Sequence, residues 1–387
     1  MRILYYYPIC TTRESGPMTH MLSVADALGG LGHTVLLVTH RPYRRVEGRF
    51  RLAAMPPIPY QIKRCRLGER FQVLRLFVHF LGFRPDCFYH RFHWMGWEWL
   101  PPARLAKAFR VPRVCEMNAW LPGLDAYLRQ DASSARQRRL RYEQGAGAQG
   151  IVAAEEADRL RAIDFFHLPP ENVVLALNGF DERAIHPRPS GPAVRDGLLR
   201  VGALTSAQDY EDFETILRGA ALGCEAGLPL RLLLTAKAGS WEGFRAAAAR
   251  AGLPEHGLEL TLPVPHPQLA DFFGRLDVGC MAWKPDELKQ RSVFASMRLP
   301  EYLGSGLCTV ATDYPGSPTA RLHEQGALVC VPPGEPAALA GALRDLWRDP
   351  ASRSRIGQAG LGYARRERTW AEVARRTSAL MFRVCGG

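Results

Sequence analysis

Short apolar runs alternate with longer amphipathic stretches along most of the chain. Arg2–Tyr7, Thr34–Thr39, Cys87–His90, Arg113–Met117 and Gly150–Ala153 are rich enough in β-branched, aromatic and aliphatic residues to predict buried strands. Met18–Leu31 and Leu100–Phe109 carry helical spacing between them. A Pro/Gly-rich stretch, PRPSGPAVRDG, begins at Pro187 and interrupts the pattern. The alternation then restarts with Leu198–Leu204, Leu230–Thr235, Glu259–Leu262, Val278–Ala282, Thr309–Ala311 and Ala327–Val331. Strand–helix alternation predicts parallel sheets covered by helices on both faces, with ligands beyond the carboxyl ends of the strands. The last segment, Thr369–Arg383, is amphipathic, with Trp370, Val373, Leu380 and Met381 apolar. It is expected either to cross back onto the first unit or to end the second as a simple terminal helix.

Length and charge narrow this picture. At 387 residues the chain exceeds the size at which one core keeps growing, so two domains are expected. No apolar run reaches transmembrane length. MRILYYYP reads as a first strand and not as a signal peptide. The cysteines form no CxxC pair, so neither a zinc site nor a disulfide framework is suggested, and a cytoplasmic protein is expected. A net charge of +12, nearly all of it from Arg, favours anionic partners. Nucleic acid is the weaker choice among these, since the cations are dispersed and no nucleic-acid-binding signature is present.

The most informative stretch is Ser296–Asp313, SMRLPEYLGSGLCTVATD. Arg298 stands three positions before Glu301 on a short helix stopped at Gly306, and an apolar strand follows. A helix start with backbone N–H groups from Ser296 and Met297, a cation beside it and an acid one turn on are the parts that hold a nucleotide-sugar.

The order of the pieces resembles the retaining glycosyltransferases of GT-B fold, in particular glycosyltransferase family four. The likeness runs through GPMTHMLSVADALGGLGHTVLLVTH (Gly16–His40), RPDCFYHRF (Arg84–Phe92), VPRVCEMNA (Val111–Ala119) and LALNGFDERAIHP (Leu175–Pro187). It resumes at LLRVGAL (Leu198–Leu204), LPEYLGSGLCTVATDYPG (Leu299–Gly316) and VCVPPGEPAALAGAL (Val329–Leu343). The resemblance implies an α/β protein with two Rossmann-like β/α/β domains facing across a cleft. Residues 1–185 would bind the acceptor, 186–197 would link, 198–368 would bind the nucleotide-sugar, and 369–387 would form the C-terminal helix. It also implies transfer of a hexose-type sugar from a nucleoside diphosphate to an acceptor hydroxyl, with retention, without a metal and without a bound cofactor. The acceptor would be a glycan, glycolipid or small molecule.

By the same resemblance Glu301 matches the second glutamate of the family's E-x7-E motif and would grip the ribose. Arg298 would steady the leaving diphosphate, and Gly16 would let a first-domain loop approach it closely. Base recognition would come from the Leu262–Pro267 loop, which holds Pro263, largely through backbone atoms, and phosphate charge from Lys237, from a basic residue of Lys284–Arg291 or from Arg298 alone. The departures from the pattern are Val293 in place of the first glutamate, Ala203 and Gln208 in place of the usual Arg and Lys, and Asn118 in place of a histidine. They motivate an alternative, a scaffold that keeps the fold and nucleotide binding without catalysis.

On the acceptor side, YHRFHWMGWEW (Tyr89–Trp99) offers His90, Arg91, His93 and Trp94, with Glu116 as a base or a structural hydrogen-bond partner. The acidic run Asp209–Asp212 reads as a solvated helix start. GAGAQG at Gly145–Gly150 spells a dinucleotide fingerprint but precedes a strand instead of following one, which excludes it. Between Tyr60 and Arg84, Leu67, Phe71, Leu74, Val78 and Leu81 recur at helical spacing among Lys63, Arg64, Arg66, Arg70 and Arg75. Such a helix either packs on its own domain or lies peripherally on an anionic inner membrane face.

Overall fold

The computed structural model of the chain describes residues 1–7, 16–40, 46–55, 67–92, 102–117, 142, 145–187, 197–205, 211–284, 296–313, 315 and 317–386. In chain order the elements begin β1 (Arg2–Tyr7), α1 (Gly16–Gly30), β2 (Thr34–His40), β3 (Arg51–Met55), α2 (Leu67–Phe83), β4 (Cys87–Arg91) and α3 (Pro102–Ala108). β5 (Arg113–Met117), β6 (Gly150–Ala153), α4 (Glu156–Phe166) and β7 (Val173–Leu175) follow. After them come β8 (Leu199–Leu204), α5 (Phe213–Glu225), β9 (Leu230–Thr235), α6 (Trp241–Ala251), β10 (Leu258–Thr261), α7 (Leu269–Gly274) and β11 (Val278–Met281). The chain closes with α8 (Arg298–Gly304), β12 (Cys308–Thr312), α9 (Pro318–Glu324), β13 (Val329–Val331), α10 (Pro336–Arg348), α11 (Pro350–Glu367) and α12 (Trp370–Cys385).

These elements make two units, Met1–Asn178 with Trp370–Gly387, and Gly179–Thr369. The first holds a parallel sheet in the order β3-β2-β1-β4-β5-β6-β7, the second a parallel sheet in the order β10-β9-β8-β11-β12-β13. Both orders reverse direction once, between β1 and β4 and between β8 and β11. In open α/β sheets that reversal is where ligands sit, beyond the strand ends.

The strand predictions hold best where the runs are buried on both faces, as in β1, buried from Ile3 to Tyr7, and in β5, β6, β11 and β12. β3 and β7 escaped the sequence reading, the first because its run RLAAM carries Arg51 and two alanines, the second because three residues are too short to show a period. Gly150 opens β6, which agrees with the exclusion of GAGAQG as a fingerprint.

The division between the units falls at Asn178–Gly179, ahead of the Pro/Gly-rich stretch, most of which (188–196) lies outside the described residues. Phe180 and Ile185 already belong to the second unit's core, and Phe180 N donates to Arg368 O at 2.9 Å. The final helix α12 lies in the first unit against α1. Its apolar side buries Trp370, Val373, Leu380 and Met381, and Ser378 Oγ meets His33 Nε2 at 2.7 Å.

Two glycines tie α8 and β12 to α11. Gly306, at φ 71°, takes the left-handed turn that ends α8. Gly357 of α11 lies so close to it that an added Cβ would stand 2.3 Å from Gly306 O. The helix carrying Arg298 and Glu301 is therefore braced from behind by a backbone contact.

α2 departs from the expected packing. The periodic set Leu74, Val78, Leu81 faces outward, and the inward face is carried by Leu76 and Phe80. Phe80 packs on Phe88 and Phe109, a choice made by the shape of the sheet beneath and invisible in the spacing.

Candidate active site

In the second unit, the strand ends on either side of the reversal are joined by side chains. β8 ends at Leu204, and its carbonyl accepts a 2.5 Å hydrogen bond from Arg298 Nη1. Arg298 Nη2 reaches Glu211 Oε1 at 2.5 Å, and Thr205 Oγ1 donates to Glu211 Oε2 at 2.7 Å. Glu211 is held by a bridge to Trp283, just past β11, and Asp212 N donates to Ala282 O at 2.9 Å. Asp212 then caps α5, accepting from Thr215 N and Thr215 Oγ1 at 3.0 and 2.6 Å. The acidic run does start a helix, as the sequence suggested, but Glu211 and Asp212 are buried, not solvated. Their burial follows from the partners they acquire: an arginine and the helix's own first N–H groups.

Glu301 lies one turn along α8 from Arg298, buried, with His266 Nε2 at 4.0 Å from its Oε1. Burial pushes its carboxyl up to about 8, and Arg298 offsets this only in part. A buried carboxyl held near neutrality beside a cation, at a strand-end crevice, marks a binding site more readily than a structural pair.

Several expected contributors stand differently. Ser296 Oγ accepts from Arg298 N at 3.2 Å, so the first amide of α8 is already occupied by a side chain. Met297 offers no side-chain cap. Lys237 is exposed just beyond β9, and Pro263 is exposed two residues beyond β10, both on the carboxyl edge of the sheet. Ala203 sits inside the core, where a phosphate-binding Arg would have no access to solvent. The residue that emerges at the end of β8 is Thr205, and it is spent on Glu211. Val293 and Gln208 lie outside the described residues, as do Asn118, His93 and Trp94.

In the first unit the strand ends converge on Glu116. Tyr5 Oη donates to Glu116 Oε2 at 2.7 Å, His20 Nε2 pairs with Oε1 at 2.7 Å, and Arg91 Nη1 is 3.8 Å from Oε1. His20 Nδ1 meets Asn178 Oδ1 at 2.8 Å, and its ring stands edge-on to Trp370 at 5.3 Å. Burial alone would raise the Glu116 carboxyl, but His20 and then Arg91 outweigh it and bring it down to about 2. His20 is raised by Glu116 against its own burial. A carboxyl so acidic does not take protons near neutrality, which removes Glu116 as an acceptor-side base. His90 is corrected as well: it is buried in the sheet, stacked on Phe88 with Nε2 3.1 Å from Arg113 Nη1. Arg91 lies over the Tyr7 ring at 4.7 Å, packing across the reversal between β1 and β4. Gly16 is exposed at the first position of α1.

Residues 15–183 match the model of Glycosyltransferase Family 4. The fold of the whole chain is GT-B. Sucrose-phosphate synthase from Thermosynechococcus elongatus superposes with a TM-score of 0.72 at 12% identity, over 100% of both chains. HepE from Anabaena, solved in complex with UDP, superposes with a TM-score of 0.71 at 15% identity, over 98% of this chain and 99% of its own. A glycosyltransferase from Rickettsia africae gives 0.70 at 11% identity, over 99% and 98%. No curated protein matches the chain significantly in sequence.

Sequence reasoning missed His20, Tyr5 and Asn178 in the first unit, and Thr205, Glu211 and His266 in the second unit. His20 lay inside GPMTHML, where an apolar helix face with one histidine is an available signal for a paired buried imidazole. Glu211 gave no signal, since its partner lies 87 positions away (298 − 211).

The Glu211–Arg298 pair yields a first prediction. Glu211→Gln keeps the shape but removes the charge facing a largely buried guanidinium, and should cost about 2 kcal/mol. Urea unfolding at neutral pH measures this; an unchanged midpoint would mean that the pair contributes no net stability.

Proposed function

We propose that the chain is a nucleotide-sugar-dependent glycosyltransferase that moves a hexose to an acceptor hydroxyl with retention of configuration and without a metal. The observation that carries this reading is Glu301, a buried carboxyl with its pKa raised to about 8, one helical turn from Arg298 at the strand-end crevice of the second unit. Ionised, it accepts from the two ribose hydroxyls; a single carboxylate fits a vicinal diol because its two oxygens lie side by side. Arg298 has N–H groups beyond those taken by Leu204 and Glu211, and these would be offered to the departing diphosphate. In the transfer the acceptor oxygen bonds to the sugar's anomeric carbon while the bond to the diphosphate oxygen breaks. The acceptor's proton leaves on that diphosphate oxygen, so attack and departure share one face. Stabilising the charge that develops on the diphosphate is the largest contribution the protein can make.

UDP is the first nucleotide to test, since HepE has been solved with UDP and with UDP-glucose. The acceptor would be a glycan, a glycolipid or a small molecule.

A second reading, nucleotide binding without transfer, is favoured by the buried Ala203 and by the neutralisation of Arg298 by Glu211. Thermal shift against UDP, GDP, ADP, CMP and dTDP, followed by release of the free nucleotide from the matching sugar, separates the two. At a hundredfold excess over its dissociation constant a nucleotide adds about 2.7 kcal/mol of stability. A shift with one diphosphate and its release from the sugar supports transfer; a shift without release supports the scaffold. A flat panel overturns both.

A further inference from the structure

Four of the large hydrophobic side chains exposed among the described residues belong to one helix. On α2, Leu74 is 57% exposed, Phe77 39%, Val78 57% and Leu81 52%. They recur at i, i+3, i+4 and i+7, so they form one stripe. The opposite stripe, Leu76 and Phe80, is buried on the sheet. The second half of α2 is thus apolar on two faces, and such a helix is expected to be covered on both. Among the described residues only the inner face is.

Among the described residues, the charged side chains of the second half of α2 and of α3 are all cations. Arg84, Arg104, Lys107 and Arg110 are exposed, and Arg75 is half-buried. Phe77 meets Phe109 at 5.4 Å, which sets α3 and the residues after it beside the stripe. From Arg70 to Pro85 and from Pro102 to Cys115 the sequence holds no Asp or Glu. A second copy of the chain docking symmetrically on this face would set its cations against their own images, an arrangement that like charges oppose.

We propose that the outer face of α2 docks on an anionic lipid bilayer, the Leu74–Phe77–Val78–Leu81 stripe entering the acyl boundary and the surrounding cations meeting the headgroups. A bilayer supplies both requirements together: an apolar layer reachable by a helix lying in its plane, and a continuous negative surface. The helix would lie on the membrane and not cross it, since none among the described residues is long and apolar enough to do so. This inference does not depend on the proposed transfer reaction.

Co-sedimentation of the full chain with phosphatidylcholine vesicles, with and without phosphatidylglycerol, tests it. Binding should be about tenfold or more stronger with phosphatidylglycerol, and should fall steeply as salt screens the headgroups. Leu74→Glu with Val78→Glu should abolish binding, and Lys107→Glu alone should weaken it several-fold. These positions are solvent-exposed, and an unchanged circular dichroism melting curve shows that each variant is folded. Binding to neither vesicle, equal binding to both, or binding undiminished in the Leu74→Glu, Val78→Glu variant overturns the proposal. So does a dimer that this double variant dissolves while vesicles bind nothing, which would give the face to a second copy.

Discussion

Glu301→Ala is expected to lower kcat/KM for the nucleotide sugar by roughly a hundredfold to ten-thousandfold. Two hydrogen bonds to an ionised acceptor are lost, each worth about 1.5–3 kcal/mol. The chain should remain folded, because the carboxyl is an unfavourable group in the empty site. Its value is raised from an ordinary 4.5 to about 8 by burial, so the unfolded chain ionises first. The unfolded state therefore binds fewer protons between those values, and stability falls as pH rises from 4.5 to 8. Glu301→Gln, neutral throughout, should accordingly melt above the parent protein at pH 9, with the gap closing toward pH 5. Ligand binding runs the other way. If the ribose needs the carboxylate, nucleotide affinity should climb by about tenfold per pH unit from 6 toward 8 and then level off. Affinity that is flat with pH, or turnover unchanged in Glu301→Ala, would remove Glu301 from the site.

The second large effect is expected in the first unit. Glu116→Ala leaves His20 without its buried counter-charge and Tyr5 without its acceptor, at a cost of about 3–5 kcal/mol. For a unit of this size that corresponds to a melting temperature lower by roughly 6–20 °C. The pH dependence has a definite shape. Glu116 is depressed in the folded state, so its contribution is full above its ordinary 4.5 and lost as pH falls through about 2. His20 is raised, so its contribution is full below 6.5 and lost as pH rises through its folded value. The difference between parent and variant should therefore be greatest between 4.5 and 6.5. Calorimetric melting across pH 3–9 measures it; a variant that melts with the parent at pH 5.5 would show that the network adds no stability.

These two carboxylates also show how far the sequence could be read. The placing of Glu301 on a short helix beside Arg298 was legible because the signals are local: a cation three positions earlier, a glycine that stops the helix and an apolar strand behind it all fall within Ser296–Asp313. Glu116 was legible as a strand acid with a structural hydrogen bond as one of its two readings, but its partners were not. Its value is set by His20 and Arg91, which come from an earlier helix and from the neighbouring strand. The same holds for Arg298, whose cation was evident and whose neutralisation by Glu211 was not.

By itself the sequence determined what depends on residues close along the chain: most of the strands, the stop of α8 at Gly306, the parallel α/β class, and the run of motifs that resembles glycosyltransferase family four. Alternation of apolar runs fixes these because backbone hydrogen bonding and the burial of one face are decided within a few residues. Tertiary structure decided which apolar stripe of α2 faces inward, where the chain passes between its units, and that α12 returns to the first. It also decided which ionisable groups are paired. Burial and Coulombic attraction act through space, so a carboxyl reaches about 2 or about 8 according to partners that no local spacing reveals.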